Sequence, residues 1–218
     1  PISDIRVTDA NTPFFLHYDH KEVGNDPFGY IVENRYIRHA LYDAISKKDT
    51  ITLIDNFTIE KLEQDNFSAT ITKKASEVSS NNSISARLLI AADGKTSKIR
   101  ELTEVNTTRW SYKQTAIVCT IEHELPHNGL AQERFFPIGP FAVLPMTQSG
   151  NSHRSSLVWV EPDDRVGLYL ELSEEDFIQE IQERVGEYLG RVCRSEKRFS
   201  YPLSLSHANK YIAQRVAI

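Results

Sequence analysis

Apolar and polar positions alternate over residues 2–8, and residues 14–18 repeat the pattern after Asn11-Thr12-Pro13, which turns the chain. Gly24-Asn25-Asp26-Pro27 marks a loop, and residues 30–32 are short and β-prone. The period then changes. Tyr36, Ile37, Ala40, Leu41, Ala44 and Ile45 recur three and four apart, which predicts an amphipathic helix over 34–47, with Asn34 as its N-cap and Lys47-Lys48 beside its C-terminal dipole. Residues 51–54, 57–62 and 67–72 read as strands, and 73–83 as a polar loop. Residues 86–91 (ARLLIA) form a nearly continuous apolar run, the pattern of a strand buried on both faces. Asp93-Gly94 breaks that run, and a helix is expected over 96–102.

Beyond Ser111 the pattern becomes one of strands at hairpin spacing: 115–121, 134–136, 141–146, 155–160 and 165–170. Ser173, with Asp176 three residues on, predicts a capped helix reaching about Leu189. Strands follow at 199–205 and 216–218. The expected fold class is α/β plus α+β: part of a nucleotide-binding α/β domain beside a mostly antiparallel sheet.

Composition narrows the functions available. Lys and Arg number 25 against 30 Asp and Glu, a net charge of −5, so no global basic field draws in nucleic acid. No apolar run approaches the ~20 residues of a membrane helix. Cys119 and Cys193 are far apart and form no CxxC, which fits a reducing compartment or simple core use. The nine glycines include no GxGxxG. The chain opens at Pro1, its one methionine is Met146, and it closes on Arg215-Val216-Ala217-Ile218, which reads as a strand beginning. The expectation is a piece of a longer protein.

Several motifs have a plainer reading than their letters suggest. His123-Glu124-Leu125-Pro126-His127 spells HExxH, but zinc chemistry needs those histidines on one helix. Here β-branched strand sequence precedes them, and Pro126 and Asn128-Gly129 forbid the helix, so no metal is expected. His17-Tyr18-Asp19-His20 is read as a solvated turn, and Gly186-x-x-x-Gly190 as a packing or C-cap site. Glu161-Pro162-Asp163-Asp164 is read as a hairpin turn, and Asn-x-Ser/Thr triplets, as at Asn56, Asn66 and Asn106, as chance.

The informative segment is 88–100. A strand delivers Asp93 and Gly94 at its carboxyl end, where a glycine lets backbone approach a ligand and a helix start offers free N–H groups. A common strand-to-helix turn has the same spacing. The segment resembles the DG motif of class A flavin-dependent aromatic hydroxylases of the para-hydroxybenzoate hydroxylase type, whose fixed positions correspond to Asp93, Gly94, Ser97 and Arg100. Gly29-Tyr30-Ile31-Val32-Glu33-Asn34 and the helix after it resemble that family's FAD-contacting helix start. Glu133-Arg134-Phe135-Phe136-Pro137-Ile138-Gly139-Pro140, continuing to Pro145, is similar to the substrate-side sheet of the ubiquinone-biosynthesis hydroxylases. Residues 201–203 and 211–218 resemble the lead-in to the second FAD motif.

That resemblance implies an FAD-dependent monooxygenase hydroxylating the ring of a polyprenylphenol in ubiquinone biosynthesis. NAD(P)H or a protein donor would supply electrons. It implies cofactor contacts at Asp93, Gly94, Ser97, Arg100 and Asn34, and substrate contacts at Phe136, Ile138, Phe141 and Val143; plain sheet core is the other reading of those four. The implied setting is the cytoplasm, peripheral to the inner membrane or in a ubiquinone-biosynthesis complex. The expected layout is substrate-domain strands in 1–27, a partial FAD-binding domain in 28–105, a substrate sheet in 106–206 and a return to the FAD domain in 207–218. Lacking the family's GxGxxG and Gly-Asp segments, the isolated piece is expected to be inactive and to hold FAD weakly or not at all. Its uncovered apolar surface is expected to favour self-association. A hydroxylase or reductase of another aromatic or isoprenoid substrate, and a non-catalytic α+β binding domain, remain the alternatives.

Overall fold

The computed structural model describes residues 1–9, 12–74 and 82–218. In chain order these carry β1 (Asp4–Asp9), β2 (Phe15–Asp19), α1 (Asn34–Ser46), β3 (Ile59–Gln64), β4 (Ala69–Lys73), β5 (Ser83–Ala86), β6 (Leu89–Ile90) and α2 (Lys98–Leu102). There follow β7 (Thr107–His123), β8 (Leu130–Phe135), β9 (Pro140–Pro145), β10 (His153–Pro162), α3 (Asp163–Glu171) and α4 (Glu174–Val185). The chain closes with β11 (Val192–Ser195), β12 (Phe199–Ala208), β13 (Ile212–Ala213) and β14 (Val216–Ala217). Asn11, in the expected turn at 11–13, and most of the expected polar loop at 73–83 lie outside the described residues.

The chain packs as two units, residues 1–39 with 111–203 and residues 40–110 with 204–218. The first is built on a sheet ordered β11-β7-β10-β9-β8-β1-β2, with β12 also paired to β7. Of its registered pairs only β1 with β8 runs parallel, so the sheet is mixed and mostly antiparallel, as the hairpin spacing implies. Strand alternation sorts the side chains between its two faces. Ile117, Cys119 and Ile121 of β7, Phe141 and Val143 of β9, and Leu157 and Trp159 of β10 pack with Phe177, Ile181 and Val185 of α4. Those α4 positions recur four apart, one stripe of the helix. Ser173 caps α4: its Oγ accepts from the Asp176 N–H at 3.1 Å and donates to the Asp176 carboxylate at 2.7 Å. The helix stops at Val185, short of the expected 189, because Gly186 at φ +75° turns the chain and donates back to the Gln182 carbonyl.

The second unit has a smaller core of Ala69, Ile99 and Val216, flanked by partly buried Leu62, Ile71 and Leu89. It holds the antiparallel sheet β3-β4-β5 and the sheet β13-β14-β6, where β6 runs parallel to β14. Arg215 Nε donates to the Asn66 carbonyl at 2.9 Å, tying the β3–β4 turn to the start of β14.

Several expectations are corrected. Residues 165–170 are helix α3, not a strand, and 161–164 close β10 and open that helix rather than forming a hairpin turn. Pro162 supplies a fixed φ of −56° at the cap, and Asp163 and Asp164 sit in the first turn, where the helix dipole favours carboxylates. Residues 51–54 and 30–32 lie outside every strand, with Leu53 and Tyr30 exposed. The run at 86–91 is not buried on both faces: β6 is two residues long, forms the edge of its sheet, and leaves Leu88 and Ile90 exposed. Asn34 is the first helical residue rather than the cap, since Tyr36 and Ile37 donate to the Glu33 carbonyl.

Candidate functional site

The Asp93-Gly94 turn in the second unit is held by its own side chains. Asp93 Oδ2 accepts from the backbone N–H of Lys98 at 2.8 Å and of Ile99 at 3.3 Å, so this carboxylate satisfies the start of α2. Ser97 Oγ accepts from the Arg100 N–H at 3.0 Å. Arg100 folds back, donating from Nη2 to the Lys95 carbonyl at 2.5 Å and from Nη1 to the Gly94 carbonyl at 3.5 Å. Burial pulls the Asp93 carboxyl upward, but the Ser97 hydroxyl and the Ile99 and Lys98 amides outweigh it and hold it below the ordinary carboxylate range. Gly94 has φ +80°, a conformation costly for any side chain, and no atom other than those of Gly94 and its two chain neighbours lies within 4 Å of the place its Cβ would take. The turn is braced from within and open beside its glycine. Next to it a cavity of about 560 Å³ is lined by Phe57, Glu60, Lys74, Asp93 and Lys98.

The first unit carries a cleft of about 510 Å³ on the sheet face away from α4. Val118 and Thr120 of β7 and Ser156 of β10 alternate with the core residues of their strands and line its floor. Met146, Phe199 and the segment 31–35 form its walls. Arg154, 7% exposed, points one Nη at Glu33 (3.6 Å) and the other at Glu196 (3.3 Å). It thereby clamps the residue just before α1 and the chain leading into β12. Cys119 borders the cleft, but burial pushes its thiol up to about 12, so it stays protonated and is no nucleophile.

The structure brings Asp93, Gly94, Ser97 and Arg100 into one turn, while Asn34 lines the cleft of the other unit. Phe136 and Ile138 border a third cavity, of about 400 Å³, with Trp159 and Arg184. Phe141 and Val143 lie sealed in the core, 0% and 1% exposed. The HExxH letters fall on the end of β7 and a turn. There His123 Nε2 bonds Ser155 Oγ at 2.9 Å, and His127 Nε2 bonds the Met146 carbonyl at 2.9 Å. Among the described residues no cluster of His, Cys, Asp and Glu has the spacing to hold a metal ion.

Arg154 and Glu196 escaped the sequence reading, and Glu33 entered it only as part of the segment before α1. Nothing local signals that charges 121 and 42 residues from Arg154 converge on it. Thr120 and Ser156 did carry a signal, as polar residues alternating with apolar ones inside core strands.

One unit delivers a glycine turn from a parallel strand to a helix start, and the other carries a mixed sheet with one helix-covered face. Residues 13–218 match the family described as FAD binding domain, and the chain belongs to that family. It is 43% identical over its whole length to ubiquinone hydroxylase UbiL of Rhodospirillum rubrum, covering 48% of that protein. It is 27% identical over 98% of its length to the human mitochondrial ubiquinone biosynthesis monooxygenase COQ6, covering 53% of it. The chain thus spans about half the length of the curated relatives it matches. Among solved structures, PqsL of Pseudomonas aeruginosa in complex with 2-aminobenzoylacetate superposes with a TM-score of 0.74 at 16% identity, over 99% of this chain and 58% of that one. At that identity the likeness shows the fold.

Proposed function

We propose that the whole protein is an FAD-dependent monooxygenase that hydroxylates the aromatic ring of a polyprenylphenol in ubiquinone biosynthesis. The 43% identity to UbiL across every element of the chain carries this reading. The open space beside Gly94, at a turn already braced by Asp93, Ser97 and Arg100, fits the close approach of a dinucleotide cofactor. Gly94 and the loop after it would hold FAD, with Arg100 lending positive charge. Bound FAD supplies the redox chemistry with O₂ that the side chains lack, its electrons coming from NAD(P)H or a protein donor.

In this reading the residues themselves orient and exclude water. Thr120 and Ser156 offer hydroxyls to a phenol, while Val118, Met146 and Phe199 surround an apolar ring and tail. Phe141 and Val143 brace that floor from the core side, and Phe136 and Ile138 shape the neighbouring cavity. A polyprenyl tail partitions into lipid, so the reading includes peripheral attachment to a membrane; among the described residues no helix is long and apolar enough to cross one.

The test uses the full-length protein with FAD, reductant, ¹⁸O₂ and a polyprenylphenol. The product should gain one ¹⁸O on the ring while the second oxygen atom leaves as water. A phenol returned unlabelled with its prenyl double bonds reduced would turn the assignment to a reductase.

A further inference from the structure

The large sheet seats α4 on one face, and among the described residues its other face contributes to neither hydrophobic core. The strand registers set the side chains of that other face in line. Val118 lies opposite Val158, Val158 opposite Ala142, Ala142 opposite Glu133, Glu133 opposite Val7, and Val7 opposite Leu16. One row therefore crosses β7, β10, β9, β8, β1 and β2, a span of about 24 Å at the spacing of neighbouring strands. A second row runs beside it two residues along each strand. Thr120 opposite Ser156 marks one end of it, and Ile5 opposite Tyr18 the other.

The surroundings make a trough of these rows. The Ile2 N–H donates to the Gly29 carbonyl at 2.8 Å just before β1, and Glu33 is paired with Arg154 at the start of β10. Residues 30–32 therefore pass beside the second row from β1 to β10, and the apolar Tyr30-Ile31-Val32 segment, which joins no strand, forms a lip. At the β7–β10 end the rows are the floor of the cleft, through Val118, Thr120 and Ser156. At the far end they run out onto the edge strand β2, where Leu16 is 61% exposed. Glu133 is the one ionisable group in the first row. Burial alone lifts its carboxyl above the ordinary value, a sign of how little water surrounds it.

The dimensions select the occupant. The floor is two rows wide, about 7 Å. A helix with its side chains is about 10 Å across, and a strand laid over a sheet face finds no edge to pair with. A single linear hydrocarbon chain fits the width, the length and the apolar lining. We propose that this trough seats the isoprenoid tail of a substrate whose ring occupies the cleft, the chain running across β9, β8 and β1 to leave the protein at Leu16. Naming the chain isoprenoid rests on the hydroxylase reading; the binding of a tail is measurable without turnover.

The test measures binding of phenols to the full-length protein by calorimetry without reductant, first with no tail and then with one, three and five isoprene units. Affinity should rise with each lengthening, to at least tenfold between the longest tail and none. Leu16→Ser should lower that ratio at least threefold, and Ile5→Thr, which keeps a β-branched side chain, about twofold. Phe15→Ser, one residue along β2 and pointing to the α4 face, should leave it at the wild-type value. Affinity that ignores tail length, no measurable binding of any tailed phenol, equal losses in Leu16→Ser and Phe15→Ser, or polypeptide lying over Val7 and Leu16 in a crystal structure of the full-length protein would each overturn the trough. Tail-dependent binding with no ring hydroxylation once reductant and O₂ are added would support the trough and overturn the hydroxylase reading instead.

Discussion

The two units spend their apolar residues differently. In the unit built on the large sheet, β7, β9 and β10 place alternate side chains against one stripe of α4, and Phe141, Trp159, Leu157, Phe177 and Ile181 are sealed from solvent. Among the described residues of the unit around Asp93-Gly94, Ala69, Ile99 and Val216 form the buried cluster, while Leu53, Leu88, Ile90 and Ile212 remain exposed. Burial of apolar area is the main stabilising term, so the first unit is the scaffold and the second the weaker partner. The weaker unit carries the glycine turn with open space beside it. A turn meant to close on a ligand gains from being drawn from the less stable end of the molecule.

The largest effect should come from the scaffold. Phe177 is stacked with Trp159 at 5.9 Å and lies beneath the Arg198 guanidinium at 3.8 Å. Phe177→Ala should cost about 3–5 kcal/mol and unfold the large sheet, read by chemical denaturation. Ile99→Ala in the small core should cost about 2–4 kcal/mol. Hydrogen exchange should then rise in 40–110 and 204–218 while β7, β9 and β10 stay protected. Equal exchange in both units would mean they unfold as one.

At the turn, Asp93→Ala removes the acceptor for two α2 amides and should cost about 1 kcal/mol. Because its folded pKa is lowered, the stability that ionised Asp93 contributes is complete above its ordinary value of 3.8 and is lost as pH falls through the folded value.

His123, at the end of β7, has an acid sensitivity of the same sign in a higher pH window. Burial first, then the imidazoles of His127 and His153, hold His123 below its ordinary 6.5 against the pull of the Leu125 carbonyl. An unfolded chain takes up this proton before the folded one does. The contribution is therefore intact above pH 6.5 and declines as pH falls from there to the folded value. His123→Gln should flatten that stretch of the stability–pH curve. The smallest effect is chemical: exposed Cys193 should alkylate well before buried Cys119, whose thiol is pushed up to about 12, as peptide mass mapping would show.

The sequence made legible what depends on local period and capping. The sheet strands from β7 to β10, α1, α4 with its Ser173 cap, and the Asp93–Arg100 turn all follow from spacing. It misled where local pattern and long-range pairing part ways. Residues 165–170 alternate like a strand, yet Pro162 and two aspartates start a helix there. The apolar run at 86–91 lacks a second strand beside β6 among the described residues. In the candidate site, Asp93, Gly94, Ser97 and Arg100 were visible because they are neighbours in sequence. The Glu33–Arg154–Glu196 clamp was not, because it is assembled from segments far apart in sequence.

The account centres on the Gly94 turn receiving FAD in the whole protein, and flavin titration of the full-length enzyme against its Gly94→Val variant tests this most directly. The expected result is stoichiometric yellow flavin in the parent and at least tenfold weaker binding in the variant, with the circular dichroism of the sheet unchanged. Equal flavin affinity in the two proteins would contradict it and return Asp93-Gly94 to the status of an ordinary strand-to-helix turn.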